Sequence, residues 1–142
     1  MDQDLLIPTP ADRPASAAID GALLRLLAEI GFVATACGLW RHAEDIFLGI
    51  RAVRPWNEFP VISHALARLS VGDDAYAIDL ITQHALKINP DSALAQSYLG
   101  FALKRLGKKE EGDKWLQAVL DGNQDSTAVE IARTVLSESF KS

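Results

Sequence analysis

The residues of this chain that could do chemistry are three histidines, one cysteine and a few paired charges. His42, His64 and His84 would have to converge with carboxylates to hold a metal or to move a proton. They fall on three different predicted helices and show no metal-ligand spacing. His64, with Arg68 one turn on, reads as a surface pair or as a histidine at a packing seam. Cys37 stands alone, which leaves no intrachain disulfide or cysteine zinc site and suits a reducing compartment. At a helix end it reads as a small buried hydrophobe. Glu110 and Glu111 beside Lys108 and Lys109 are neighbours in sequence, and adjacent helical residues do not face each other, so they form a solvated face. The glycines are dispersed, with no phosphate-cradling loop. Trp40, Trp56 and Trp115 read as packing or interface residues, with Trp56 free to meet a partner from the loop after Pro55. No catalytic constellation, metal or cofactor follows, and the chain reads as a binding protein rather than an enzyme.

Composition points the same way. A chain of 142 residues, 49% hydrophobic and 23% charged, can bury one sizeable core as a single folded domain. Its net charge of −5 argues against a nucleic-acid partner, because phosphate neutralisation needs a surplus of Lys and Arg. The start, Met1-Asp2-Gln3-Asp4, lacks the basic opening and apolar core of a secretory signal, and no apolar run approaches a membrane span. The expectation is a cytoplasmic protein that does not insert in membranes.

The elements that would position a binding surface come from a repeat. Gly31, Gly38, Ala43, Phe47 and Pro55 set a pattern that Gly72, Ala77, Ile81 and Pro90 echo, as do Gly100, Gly107, Gly112 and Leu116. The period is about 34 residues, room for two antiparallel helices per unit. Residues 1–14, with Pro8, Pro10 and Pro14, form an N-terminal arm in which Leu5-Leu6-Ile7 could dock. A helical pattern with apolar residues from Ile19 to Ala34 runs over residues 15–37 and stops at Gly38, and a second helix runs from Trp40 to Val53. The repeats span about 24–57, 58–92 and 93–126, the second one residue too long, with the excess between Ala77 and Pro90. Asp121-Gly122 ends the sixth helix of this series. A capping helix over 127–140 opens at Thr127, with Glu130 three residues on. Small residues let the hairpins close: Gly31 against Ala43, Gly100 against Gly112, with Phe47 and Leu116 in the next layer. The fold class is all-α, a superhelix of about three helical hairpins plus a closing helix.

These spacings resemble the tetratricopeptide (TPR) repeat over most of residues 24–126, although Asp74 and Lys109 stand where Trp40 supplies an aromatic in the first unit. The resemblance implies a curved solenoid whose first helices line a concave face that binds polypeptides. Carried onto this chain, the groove positions are Arg25, Ala28, Phe32, Thr35 and Ala36, then Phe59, Ile62, Leu66, Leu69 and Ser70, then Leu94, Ser97, Phe101, Lys104 and Arg105. Phe32, Phe59, Ile62, Leu66, Leu69, Leu94 and Phe101 would make an apolar trough for an amphipathic helix or an extended apolar segment. Lys104 and Arg105 could meet an acidic end of that ligand. The alternative is that such residues pack on neighbouring helices or on a second copy in a homodimer. Co-chaperones that grip a C-terminal carboxylate need lysines and asparagines in the groove, whereas Asn57, Asn89 and Asn123 are expected in loops.

The stretches Leu27-Ala28-Glu29-Ile30-Gly31, Arg41 to Phe47, Val53-Arg54-Pro55 and Leu94 to Leu106 also resemble the small TPR chaperones of bacterial type III secretion systems. That resemblance implies a cytoplasmic bacterial protein with a secreted needle subunit as client, or else a translocator. A second small helical co-chaperone is a further implied partner. The first stretch favours the needle branch. A generic TPR adaptor in another complex is the competing reading.

Overall fold

A computed structural model describes residues 20–138. The expected N-terminal arm lies outside the described residues; the first helix, expected from residue 15, starts at Gly21 because Asp20 caps it, and the closing helix, expected to run to 140, ends at Ser137 with Glu138 extended. Seven helices and no strand occur among the described residues. They are α1 (Gly21–Ala36), α2 (Trp40–Val53), α3 (Phe59–Ser70) and a fourth helix in three parts. Its parts are α4 (Asp74–Leu80), a π-helical turn (Ile81–Ala85) and α5 (Leu86–Ile88). α6 (Ala93–Arg105), α7 (Lys109–Gly122) and α8 (Ser126–Ser137) complete the chain.

The repeating glycines close the first helix of every hairpin in the same way. Gly38, Gly72 and Gly107 adopt φ of 78°, 80° and 91°, the left-handed region that side chains disfavour. The following N–H of Leu39, Asp73 and Lys108 reaches back to the carbonyl of Ala34, Arg68 and Leu103. Each is a Schellman closure that satisfies orphan carbonyls and turns the chain into the second helix. The N-termini are capped by side chains where the sequence supplies them: Asp20 accepts from the N–H of Ala22, Ser92 from Ala95 and Asp125 from Ala128. The last of these corrects the expected start at Thr127. Asp125 is the cap, and Glu130 pairs with Arg133 instead of closing a capping box. The end of α7 also differs, because Asn123 at φ 45°, rather than Gly122, takes the left-handed position.

The surplus residue of the second repeat has a definite place. Between Ala77 and Pro90 the helix loosens into the π-helical turn Ile81–Ala85, which accommodates one additional residue without breaking the rod. Thr82 donates to the carbonyl of Ile78 there, and Arg51 donates to His84 Nδ1 from α2, 2.9 Å away.

Packing follows the hairpins. Phe47 and Ala43 close α2 on α1, Val61, Leu69, Ile81 and Leu99 fill the middle, and Leu116 and Val119 join α7 to α8. A methyl on Gly100 would stand 2.5 Å from Leu116 Cγ and 2.9 Å from the carbonyl oxygen of Gly112, so α6 and α7 touch backbone to backbone. Gly31 answers a different neighbour from the one expected: the Phe47 ring, with Cζ 2.6 Å from a Cβ built there, rather than Ala43. The helix preference of alanine over glycine, about 1 kcal/mol, is smaller than the cost of moving a packed backbone, about 1–3 kcal/mol. Gly100→Ala is therefore expected to lower the unfolding free energy by up to about 2 kcal/mol, read from urea melts; a raised midpoint would contradict the close approach.

Candidate functional site

The first helices of successive repeats, α1, α3 and α6, lie side by side, each second helix behind them. Side by side, these three helices bound a cavity of about 540 Å³. α1 contributes Gly21, Leu24, Arg25, Ala28 and Phe32, and α3 contributes Phe59, Pro60, Ile62, Ser63 and Leu66. Leu94 and Tyr98 come from α6. Phe47 and Ile50 of α2 form the floor, with Arg54 and Asn57 at the α2–α3 connection. A second cavity of about 270 Å³ lies beyond Tyr98, which lines both, and is walled by Phe101, Glu130, Ile131, Thr134 and Val135. Together they form an apolar trough from α1 to α8.

Seven of the fifteen residues expected at the groove line the larger cavity: Arg25, Ala28, Phe32, Phe59, Ile62, Leu66 and Leu94. Phe101 lines the smaller one. Thr35, Ala36 and Ser70 line neither cavity, and Leu69, Ser97, Lys104 and Arg105 are taken up elsewhere. Leu69 is 2% exposed and belongs to the core between α3, the fourth helix and α6. Lys104 is 5% exposed; its Nζ meets Asp113 Oδ1 at 3.0 Å and donates to the carbonyl of Val135 at 3.1 Å. Arg105 pairs with Asp74 Oδ1 at 2.8 Å and donates to the carbonyl of Leu69. The reason is common to both cations. The last turns of α3 and α8 present carbonyls at the negative helix end, Leu69 and Val135, which accept one backbone N–H each and keep a second lone pair, and the end of α6 lies between them. Ser97 is likewise buried, its hydroxyl donating to Leu94.

Sequence reasoning missed Tyr98, Ile50, Ile131 and the rim groups Arg54 and Asn57. Tyr98 had a signal, since Leu94, Tyr98 and Phe101 fall on one helical stripe. Asn57 is in a loop as expected, yet that loop forms cavity wall, and its Oδ1 accepts from the N–H of Phe59. The charges in the larger cavity's lining are those of Arg25 and Arg54, and the lining holds no carboxylate.

The residues first suspected of chemistry are elsewhere. Among the described residues no three His, Cys, Asp or Glu side chains converge as metal ligands. Cys37 is exposed, not buried as expected, because it caps α1 in the turn to Gly38. His64 is at a packing seam, 2% exposed, with Nε2 2.6 Å from Glu44 Oε2. Arg68 donates to the same oxygen at 2.6 Å, and its guanidinium lies between the rings of Trp40 and Tyr76, 4.6 and 3.9 Å from their centroids. This cluster ties α2, α3 and α4 behind the cavity.

No protein-family model and no curated protein matches the chain. Solved structures do. The first TPR domain of Spaghetti (RPAP3), bound to an HSP90 peptide, is 24% identical with a TM-score of 0.66, covering 83% of this chain and 94% of that one. The type III secretion translocator chaperone SycD of Yersinia enterocolitica is 16% identical with a TM-score of 0.71, covering 84% and 89%. SycD in complex with a peptide of the translocator YopD is 12% identical at 0.65, covering 84% and 96%. The fold is thus a TPR-type superhelix. Among the described residues, no helix is long and apolar enough to cross a membrane.

The seam cluster makes stability depend on pH. Burial is the largest influence on His64 and pushes its pKa below the ordinary 6.5, against the opposing pull of Glu44. The unfolded chain then binds the proton first, so this contribution is present above about pH 6.5 and is lost as pH falls toward the folded value. For Glu44, burial is the largest single influence and raises the pKa, but the hydrogen bonds and charges of Arg68 and His64 outweigh it and hold it below 4.5. Its contribution is present above that value and disappears as pH falls through the lowered one. The urea midpoint should therefore drop between about pH 7.5 and about pH 5.5, and drop less in His64→Gln; equal drops in both proteins would remove His64 from this role.

Proposed function

We propose that this chain is a non-enzymatic holding protein that buries an apolar or amphipathic helical segment of another polypeptide in the trough between α1, α3 and α6. The observation that carries the reading is the trough: Phe32 and Phe59, 46% and 55% exposed, stand at its edge above a floor of Phe47 and Ile62. Large aromatic groups left in water over a concave apolar floor are what a helix-in-groove site needs. The binding residues are then Ala28, Phe32, Phe59, Ile62, Leu66 and Leu94, with Tyr98 and Phe101 extending the site toward α8.

The client we assign is a secreted subunit of a bacterial type III secretion system, held monomeric in the cytoplasm because it assembles through the apolar face that the trough covers. Support comes from the stretches named above and from the likeness to SycD, whose solved complex holds a translocator peptide. The Leu27 to Gly31 stretch favours a needle subunit, and the shape favours a translocator. A generic TPR adaptor is the second reading, favoured by the RPAP3 domain with its HSP90 peptide and by the basic rim of Arg25 and Arg54.

A photo-crosslinking amino acid at position 59, compared with one at exposed Leu48 on α2, tests the site. In the source cell, position 59 should capture a short, aggregation-prone helical protein, position 48 should not, and Leu66→Glu should abolish capture while circular dichroism is unchanged. Capture from position 48, or capture insensitive to Leu66→Glu, would refute the site. Binding of an acidic C-terminal peptide in place of an apolar helix would select the adaptor reading.

A further inference from the structure

α1 begins at the trough: Gly21, its first residue, lines the larger cavity together with Leu24 and Arg25. Whatever precedes Asp20 is therefore attached at the cavity wall. Nineteen residues do, and their one run of large apolar side chains is Leu5-Leu6-Ile7. Ile7 stands 14 residues before Gly21, and extended chain covers about 3.3 Å per residue, so this tether reaches roughly 45 Å. α1 itself, at 16 residues, is about 24 Å long. The triplet can thus be laid anywhere along the trough. The other end of the chain offers less: four residues follow Glu138, with Phe140 beside the cation Lys141, and they reach about 13 Å.

The chemistry of the triplet matches the lining. Pro8 and Pro10 disfavour helix at Ile7 and Thr9 and remove two backbone donors, so Leu5-Leu6-Ile7 reads as a short extended apolar stretch. The cavity offers it Phe32, Phe59, Ile62, Leu66 and Leu94, with few polar groups to desolvate. Charge agrees as well. Asp2 and Asp4 precede the triplet and residues 1–7 contain no Lys or Arg, while the lining carries exposed Arg25 and no carboxylate. Tethering favours this occupant over any other, because a segment of the same chain is present at an effective concentration on the order of millimolar.

We infer that Leu5-Leu6-Ile7 docks in the trough of its own chain, with the carboxylates of Asp2 and Asp4 beside Arg25, and that a client must displace it. The free protein then shields its aromatic rim, Phe32 and Phe59, until a client arrives. Where the arm covers the trough in about two thirds of the molecules, any other segment binds ~3-fold more weakly. This docking rests on the reading of the trough as a site for an apolar segment, and adds that the site is regulated from within the chain.

Methyl NMR of the full chain follows the arm directly. In a Cys37→Ser chain carrying a nitroxide on Gln3→Cys, broadening should be largest at Leu24, Leu66 and Leu94 and least at exposed Leu48 on α2. An isotope-labelled chain without the nitroxide, mixed with the nitroxide chain, should show none. Leu5→Asp with Leu6→Asp should abolish the broadening while circular dichroism stays unchanged. A fluorescein-labelled peptide of residues 1–12 should bind this double variant saturably and bind the wild type ~3-fold or more weakly. Adding Arg25→Glu to the double variant should weaken the peptide ~3-fold or more. Broadening centred on Leu26 and Val33 of the outer face of α1, broadening in the mixture, or a peptide bound equally by both chains overturns the inference. Client capture from position 59 is a separate readout. Capture that persists while Leu66 and Leu94 stay sharp removes the arm and leaves the trough a client site, whereas broadening without capture keeps the arm and removes the client.

Discussion

The meeting of α6 and α7 at Gly100 and Gly112 is the constraint on which the rest of the structure depends. A Cβ on Gly112 would lie 2.7 Å from the carbonyl oxygen of Gly100, so the two backbones are in contact with no side chain between them. Gly31 performs the related task in the first hairpin by letting the Phe47 ring sit against α1. Close hairpins set the layering: small residues at the crossing, one large residue beyond it, then the next repeat. Because the second helices take up the large residues behind, the first helices are left with a concave face that the described residues do not fill. The cavity is therefore a consequence of how the hairpins close.

Three cations among the described residues act as fasteners. Arg68 joins Glu44 and Asp73 while stacked between two rings, Lys104 ties α6 to Asp113 and the end of α8, and Arg105 ties it to Asp74 and the end of α3. Each meets a carboxylate and, for the last two, a helix-end carbonyl, so the charge is compensated where it is buried. The trough consequently keeps an apolar lining with basic charge confined to Arg25 and Arg54. A client offering apolar side chains loses little by entering it, since few polar groups there need desolvation.

Much of this was legible in the residues. The glycines at 38, 72 and 107 marked every turn inside a hairpin because the left-handed conformation there leaves little else. The one-residue surplus between Ala77 and Pro90 was visible as a break in the period, and the π turn at Ile81–Ala85 is where the helix takes it up, which the period alone did not indicate. Expected facing and observed lining agree in the middle of α1 and α3, at Ala28, Phe32, Ile62 and Leu66, where helical periodicity fixes the facing, but not at Ser97 in the middle of α6, which is buried. They also disagree at the helix ends. Whether Lys104 and Arg105 face a groove or a neighbour depends on where the carbonyls of Val135 and Leu69 fall, and that is a tertiary fact with no local pattern. The caps at Asp125 and Asn123 differ from expectation by one or two positions, since several residues there can serve and the geometry of α8 selects between them.

The central claim is that the concave trough, and not another face, receives a helical segment. Methyl NMR of the full chain, titrated with a purified apolar helical segment from the captured client, measures this directly. Saturable shifts should concentrate at Ala28, Ile62, Leu66 and Leu94, with Leu48 on α2 and Val33 on the outer face of α1 unmoved. Shifts centred on Leu48 or Val33, with the trough methyls unchanged, would contradict the account.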